Sequence, residues 1–163
     1  MKTVGIVLAA GESRRMGSPK ALLRGADGVP LAAKQAAILR AGGCAPVAAV
    51  LGSEIERIRR ELPLELATVA NPRWSRGRAS SLQAGISAFP GADGYLFLPV
   101  DAVDVRVATI LAALAAEELM RLPLDARIDE WVRPRAQIVE VDDPAILRNV
   151  NTPEEWAALS RAP

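Results

Sequence analysis

The chain has 163 residues, of which 50% are hydrophobic and 24% are charged, and its formal net charge is +1. These values predict one domain (residues 1–163) with an apolar core, and they favour neither a nucleic-acid surface nor a membrane surface. A single cysteine, Cys44, excludes an internal disulfide and fits a reducing, cytoplasmic location. The absence of histidine excludes a Ser-His-Asp triad and most zinc sites, so chemistry must rely on carboxylates, amides, cations or an oxygen-bound metal.

The first predicted element is an apolar strand over residues 4–10, which runs directly into a glycine-containing, basic loop at residues 11–20. Glycines let the backbone turn tightly and bring its N–H groups close to an anion, while arginine and lysine neutralise phosphate charge. The spacing of a P-loop fails because Ser-Pro-Lys follows Gly17, and the dinucleotide spacing G-x-G-x-x-G fails as well. The loop is therefore predicted to bind phosphate, but not as either of these two motifs.

Strands and helices alternate along the rest of the chain. Further strands are predicted at 45–51, 66–70, 94–100 and 136–141, and helices at 30–41, 53–62, 79–89, 105–122 and 153–160. Predicted N-caps are Ser53, Thr152 and either Ser80 or Ser81. Apolar strands between helices predict an α/β fold, a Rossmann-like three-layer sandwich with a mostly parallel sheet. Its ligand site is expected at the C-terminal strand ends, where the loops at 11–20, 71–80 and 101–104 converge.

The loops at 101–104 and 71–80 carry candidate site residues. Asp101 follows the strand at 94–100, and a lone carboxylate there is well placed to hold Mg²⁺ against phosphates. Asp104 is either a second carboxylate or the N-cap of the next helix. Asn71 offers a donor and an acceptor to the edge of a base. Trp74, in the same loop, either packs against the sheet edge or belongs to the site.

Four segments together resemble the MobA-like nucleotidyltransferase family, whose members attach GMP or CMP to molybdopterin or act on sugar and polyol phosphates. They are LAAGESRRMGSPK at residues 8–20, NPRWSRGRASSL at 71–82, Asp101 at the family's D-x-P position, and NVNTPEE at 149–155. The resemblance implies the nucleotide-diphospho-sugar transferase type of fold. It also implies Mg²⁺-dependent transfer of CMP or GMP from CTP or GTP to a phosphorylated acceptor, molybdopterin in the first place, with release of pyrophosphate.

The same resemblance implies roles for individual residues. Arg15 and Lys20 would hold the triphosphate and, with Asp101, form the catalytic group. Asp101, assisted by Asn149 or Asn151, would hold Mg²⁺. Contacts to the nucleotide are implied for Leu8, Ala9, Ala10, Gly11, Asn71, Gly77 and Ser81.

The nucleotide and the acceptor stay open. Ala10 is typical of the cytidylyl branch, whereas asparagine at 149 and 151 is typical of the guanylyl branch. The proline of D-x-P is missing, and residues 102–135 do not resemble the family's acceptor-binding region. The alternative is a non-catalytic protein that binds a nucleotide or handles the molybdenum cofactor. A molybdoenzyme or chaperone is a further partner that the resemblance implies.

Overall fold

The computed structural model describes residues 2–103, 116–134 and 148–160. Its strands are β1 (Thr3–Ala9), β2 (Val47–Leu51), β3 (Ala67–Ala70) and β4 (Gly94–Pro99). Its α-helices are α1 (Leu31–Ala41), α2 (Ile55–Glu61), α3 (Arg78–Ala88), α4 (Ala116–Arg121), α5 (Ile128–Val132) and α6 (Pro153–Ser160). Short 3₁₀ turns at Arg14–Met16, Lys20–Leu22 and Trp74–Arg76 lie in the loops after β1 and β3.

The four strands form a parallel sheet in the order β3-β2-β1-β4. In the centre of the sheet, Ile6 on β1 pairs with Ala48 on β2 and with Phe97 on β4. The chain moves from β1 outward to β3 and then returns to the other side of β1 to form β4. This reversal opens a crevice between the C-terminal ends of β1 and β4, which is where sheets of this kind bind ligands.

Both faces of the sheet are covered by helices. Val7 and alternate residues of the other strands point to one face, where they pack with α1, α2 and α6 through residues such as Leu39 and Trp156. Ile6 and its neighbours point to the opposite face and pack with α3, α4 and α5, for example through Ile86. Each fully buried aliphatic side chain contributes roughly 1.5–3 kcal/mol to folding. The predicted three-layer α/β architecture and the four predicted strands up to residue 100 are confirmed, with strand ends that differ by one or two residues.

Two predicted helix caps are wrong. Helix α2 begins at Ile55 rather than at a capping Ser53, because Glu54 adopts a left-handed backbone (φ 52°) and no side chain caps the helix. Helix α3 begins at Arg78, so Ser80 and Ser81 lie inside its first turn instead of capping it. In both places the backbone turn before the helix sets the first residue, and serine chemistry alone does not reveal that turn.

The final helix begins as predicted. The hydroxyl of Thr152 accepts a hydrogen bond from the N–H of Glu155 at 3.3 Å, and the Glu155 carboxylate accepts one from the N–H of Thr152 at 3.1 Å. This reciprocal pair is a capping box. It fixes the entry to α6 and therefore the segment just before it, which carries Asn151.

Parts of two predictions fall outside the described residues. The predicted helix at 105–122 is described only over its last turns, as α4, while Asp104 and the predicted strand at 136–141 are not described. Helix α4 is attached to α3 by Gln83, whose Nε2 donates to the carbonyls of Leu119 at 3.0 Å and Leu122 at 2.8 Å. No helix in the described ranges is long and apolar enough to cross a membrane.

Cys44 lies in the core beside α1 and β2 and is 4% exposed. Burial raises the pKa of its thiol, so the group stays neutral. This agrees with its interpretation as a small hydrophobic residue rather than a nucleophile.

Candidate functional site

A cavity of about 480 Å³ opens at the crevice between β1 and β4. Its walls come from the end of β1, the loop at 11–20, the turn before α3, the end of β4 and the segment before α6. The residues that line it are Leu8, Ala9, Ala10, Gly11, Ser13, Arg14, Arg15, Pro19, Lys20, Ala21, Trp74, Ser75, Gly77, Arg78, Ser81, Pro99, Val100, Asp101 and Asn151.

The loop after β1 is held in one conformation by its own contacts. Ser13 has a left-handed backbone (φ 54°), its carbonyl accepts from the N–H of Met16 at 2.8 Å, and its hydroxyl accepts from the N–H of Lys20 at 3.1 Å. The side chain of Met16 is buried in the core and anchors the 3₁₀ turn. These contacts fix the path of the loop along the cavity.

Lys20 joins three separate segments at the centre of the cavity. Its Nζ donates to Oδ2 of Asp101 at 2.8 Å and to Oδ1 of Asn151 at 3.0 Å. The side chains of Lys20 and Asp101 are 13% and 29% exposed. This partial burial makes the pair stronger than a solvent-exposed ion pair, because water screens it less.

Backbone hydrogen bonds fix Asp101 and the segment that carries Asn151. The N–H of Val150 donates to the carbonyl of Asp101 at 3.1 Å, and Ala102 forms an antiparallel bridge with Asn149. Val150 is fully buried in the core. Residues about fifty positions apart in sequence are thereby placed on the same side of the cavity.

Two arginines on the loop differ in their surroundings. Arg15 donates to Oδ1 of Asn151 at 3.3 Å and lines the cavity. Arg14 also touches the cavity, but its Nε pairs with the carboxylate of Glu12 at 2.7 Å and its side chain is 83% exposed. This agrees with the view that Arg15 belongs to the site and Arg14 is solvated.

The turn before α3 forms another part of the cavity wall. Gly77 has φ 126° and ψ 176°, a backbone region that is essentially restricted to glycine. A Cβ at this position would also lie 3.2 Å from the carbonyl oxygen of Leu124. Gly77 is therefore required for the path of the chain, and it places Ser81 in the wall, as the sequence predicted.

Asn71 does not reach the cavity. It is 2% exposed, its Nδ2 donates to the hydroxyls of Ser80 and Ser81 at 2.9 and 3.1 Å, and its Oδ1 accepts from the N–H of Arg73 at 3.0 Å. The predicted contact with a base is not what the structure shows. Instead, Asn71 ties the loop after β3 to the first turn of α3.

Asn149 also lies outside the wall of the cavity, and it is exposed. Its backbone is close to Asp101 through the bridge with Ala102, but its side chain is not among the lining groups. Its role as a metal ligand stays a prediction of the sequence. Asn151 is the asparagine that the structure brings to Asp101 and Lys20.

Sequence reasoning missed Arg78 and left Trp74 undecided. Arg78 is exposed, lines the same cavity as Lys20, and makes no hydrogen bond or ion pair with the described part of the chain. Trp74 lines the cavity and packs against the sheet, so closely to Gly52 that a Cβ on that glycine would clash with its side chain. The cluster of arginines at 73–78 was a usable signal for Arg78, although it does not tell which arginine faces the site.

The lining carries more positive than negative charge. Among the described residues it contains four cationic side chains, Arg14, Arg15, Lys20 and Arg78, and one carboxylate, Asp101. Such a cavity attracts a polyanion and raises its local concentration.

Asp101 and Asn151 also offer oxygens to a metal. Both oxygens point at one cation, the Lys20 ammonium, at 2.8 and 3.0 Å. Carboxylate and amide oxygens are ligands that Mg²⁺ accepts, and Mg²⁺ usually takes one or two protein ligands plus phosphate and water. The described residues contain no cluster of three carboxylate, histidine or cysteine side chains. The donor set therefore fits a Mg²⁺ ion shared with a phosphate-bearing ligand rather than a metal held by protein alone.

Comparisons with known proteins identify the family of this chain. Residues 5–126 match the MobA-like NTP transferase domain family. The chain is 32% identical over 146 residues to the nicotine blue oxidoreductase of Paenarthrobacter nicotinovorans, covering 88% of this chain and 66% of the relative. It is 30% identical over 115 residues to a probable molybdenum cofactor guanylyltransferase of Rhodopirellula baltica, covering 69% of this chain and 54% of the relative. The chain thus spans between about half and two thirds of the length of these curated relatives.

Solved structures show the same fold. The crystal structure of Rv0371c from Mycobacterium tuberculosis superposes with a TM-score of 0.79 at 22% identity, covering 99% of this chain and 98% of that one. A manganese complex of Rv0371c superposes with a TM-score of 0.70 at 18% identity over the full length of both chains. The family match covers most of the chain and contains most of β1, all of β2 to β4, and Asp101. The chain belongs to the MobA-like NTP transferase domain family.

Proposed function

We propose that this protein transfers CMP or GMP from CTP or GTP to a phosphorylated acceptor, with molybdopterin as the first candidate, and releases pyrophosphate. The observation that carries the proposal is the contact of Lys20 with Asp101 and Asn151 in a cationic cavity at the C-terminal ends of β1 and β4. The relative from Rhodopirellula baltica, named a molybdenum cofactor guanylyltransferase, supports the choice of reaction and acceptor.

The reaction needs no covalent intermediate on the protein. A phosphate oxygen of the acceptor attacks the α-phosphorus of the nucleotide and forms the new P–O bond. The bond from the α-phosphorus to the bridging oxygen breaks, and its electron pair leaves with pyrophosphate. The protein's task is to hold both substrates in line and to neutralise charge that builds up on the phosphates.

Residues in different parts of the cavity have different roles in this task. Lys20 and Arg15, on the loop after β1, hold the triphosphate and stabilise the leaving pyrophosphate. Asp101 and Asn151 would hold Mg²⁺, which when bound polarises the phosphate oxygens. The manganese complex of Rv0371c supports the choice of a divalent ion. Arg78, which also lines the cavity and makes no hydrogen bond or ion pair with the described residues, is suited to the anionic group of the acceptor.

The base is expected along the end of β1 and the turn before α3. Leu8, Ala9, Ala10 and Gly11 line the cavity there, together with Gly77 and Ser81. Backbone groups at the end of a strand can read a base edge without ionisable side chains. Ala10 favours CTP and Asn151 favours GTP, so both nucleotides belong in the test.

A second candidate is a nucleotide-binding protein that does not catalyse transfer. It is favoured by the presence of a single carboxylate, Asp101, among the described residues of the cavity wall, because an amide ligand lowers the charge that holds Mg²⁺. A further class comes from the relative named an oxidoreductase. The loop at 11–20 lacks the dinucleotide glycine spacing, which argues against a nicotinamide cofactor in this chain.

The test is pyrophosphate release from CTP and from GTP, with Mg²⁺ and molybdopterin present together. Release that requires both the nucleotide and the acceptor supports transfer. Tight, Mg²⁺-dependent nucleotide binding without release supports the non-catalytic candidate. Oxidation of NADH or NADPH by the same preparation, without pyrophosphate release, would contradict both the transferase and the non-catalytic candidate and would indicate a redox function.

A further inference from the structure

A buried glutamine lies directly behind Asp101. Gln35 is on α1, is 1% exposed, and is surrounded by the apolar core that α1 forms with the sheet. Its Nε2 donates to the carbonyl of Ala102 at 2.5 Å and lies 3.5 Å from the carbonyl of Val100. These two carbonyls belong to the residues on either side of Asp101. The side chain thus bridges α1 to the turn that carries the site's carboxylate.

Core packing does not explain a glutamine at this position. Its Oε1 is buried and has no hydrogen-bond partner in the described part of the chain. A buried acceptor without a partner costs roughly 1–3 kcal/mol. Reversing the amide would not help, because the oxygen would then face two carbonyl oxygens. The structure therefore keeps a costly group whose donor end is directed at the backbone around Asp101.

Other backbone contacts hold the same region: the N–H of Val100 donates to the carbonyl of Leu8 at 3.1 Å, and Ala102 forms an antiparallel bridge with Asn149. The turn after β4 is held by the N–H of Ala102 on the carbonyl of Pro99 at 3.2 Å and by the N–H of Val150 on the carbonyl of Asp101 at 3.1 Å. The family's D-x-P pattern has a proline two residues after the aspartate, and this chain has Val103 there. Proline fixes its own φ and restricts the residue before it. Gln35 restrains the same turn from the side of α1.

We propose that Gln35 is a positioning residue. It holds the turn at 100–102 so that the Asp101 carboxylate and the Asn151 amide oxygen point at the same cation. The proposal rests on the proposed function, since it concerns the metal that Asp101 would share with the triphosphate. Residues that orient metal ligands in this way affect metal affinity by roughly 10- to 100-fold when they are replaced. Gln35 itself is not among the residues that line the cavity.

The test compares two buried glutamines. Gln35→Met keeps the length of the side chain but removes the donor, and Gln83→Met does the same on α3. Gln83 is a matched control because it is also buried and its Nε2 also donates to two carbonyls, those of Leu119 and Leu122. Each variant is titrated with CTP and with GTP, with and without Mg²⁺, and the ratio of the two dissociation constants measures how strongly metal and nucleotide binding are coupled.

We expect Gln35→Met to lower this Mg²⁺ coupling by roughly 10-fold or more, with nucleotide affinity in the absence of Mg²⁺ within about twofold of the wild type. Gln83→Met should keep the coupling. If Gln35→Met does not fold, Gln35→Leu, which also lacks the donor, serves in the same titration.

The outcomes separate this proposal from the proposed function. Wild-type coupling in Gln35→Met, together with its loss in Asp101→Asn, overturns the positioning role and leaves the metal role of Asp101 intact. An equal loss of Mg²⁺ coupling in the Gln35 and Gln83 variants would show that removing any buried amide has this effect, and it would also overturn the proposal. A wild-type protein without any Mg²⁺ coupling contradicts the metal role of Asp101 and the positioning role together.

Discussion

Lys20 is the residue on which the account of the site depends. Its ammonium links the loop after β1 to Asp101 at the end of β4 and to Asn151 before α6. The sequence predicted each of these three residues separately, because each follows a strand end or lies in a recognisable motif. It did not predict their mutual contact, since residues 81 and 131 positions away from Lys20 meet only through the order of strands in the sheet.

Replacing Lys20 should weaken triphosphate binding. Lys20→Met is expected to lower the affinity for CTP and GTP by roughly tenfold or more, about 1.4 kcal/mol, because it removes a partly buried cation from the cavity. Arg14→Met is the control, since Arg14 pairs with Glu12 and is exposed. Calorimetric titration measures both. Unchanged affinity in Lys20→Met, combined with a lower melting temperature, would make Lys20 purely structural.

Replacing Asp101 should separate metal binding from nucleotide binding. Asp101→Asn keeps the shape of the side chain and removes its charge, so pyrophosphate release should fall by roughly 100-fold or more. Nucleotide affinity without Mg²⁺ should stay the same or rise, because a carboxylate that repels phosphate is gone. Initial rates of pyrophosphate release test the first expectation, and nucleotide titrations without Mg²⁺ test the second. Wild-type rates in this variant would exclude Asp101 as the metal ligand.

At the level of elements, the strands were easier to predict than the helix starts. Buried parallel strands appear as continuous apolar runs, and four of them are where the sequence places them. Helix α2 starts after a left-handed Glu54 and α3 after Gly77, whose φ is positive, and side-chain preference reveals neither conformation. Asn71 was predicted to contact a base because its segment resembles a nucleotide-binding motif. Its amide is used inside the protein, and only the packing of β3 against α3 shows this.

The turn at Gly77 gives a prediction for the wall formed by α3. Gly77→Ala should lower the melting temperature, since its backbone conformation costs a residue with a Cβ about 1–3 kcal/mol. It should also weaken CTP and GTP binding, because Gly77 and the first turn of α3 line the cavity. Thermal unfolding and nucleotide titration measure the two effects.

Gly91→Ala is the matched control for this experiment. Gly91 also has a positive φ (78°), but it is exposed, and a Cβ there would meet nothing within 4 Å. It lies before β4, at the end of the sheet away from the cavity. The control should lose stability and keep nucleotide affinity. Equal loss of affinity in both variants would mean that strain, and not the wall of the cavity, weakens binding.

For the whole molecule, the architecture fixes where a ligand binds but not which acceptor is used. The reversal of strand order places the loops at 11–20 and 71–80 and the end of β4 around one crevice, and this was predictable from the alternation of strands and helices. The identity of the acceptor was not, because residues 102–135 carry no recognisable acceptor-binding motif, although the family match extends through residue 126, beyond the point after Asp101 where the sequence predicted its end. In the structure, the described part of that region packs on α3 through Gln83.

A panel of nucleotides tests this view of the molecule. CTP or GTP with Mg²⁺ should raise the melting temperature more than ATP or NAD does, because a ligand that binds only the folded protein stabilises it by mass action. The expectation rests on the phosphate-binding loop and on the missing dinucleotide spacing. Equal shifts for NAD and CTP would remove the transferase interpretation.

The most direct measurement follows the α-phosphate itself. CTP and GTP radiolabelled at the α-phosphate are incubated with molybdopterin, Mg²⁺ and either the wild-type protein or Asp101→Asn. The account predicts that the wild type transfers the label to the acceptor, with one pyrophosphate released for each label transferred, and that Asp101→Asn loses this transfer. Label that stays in the nucleotide with the wild-type protein, although the nucleotide binds, would contradict the account.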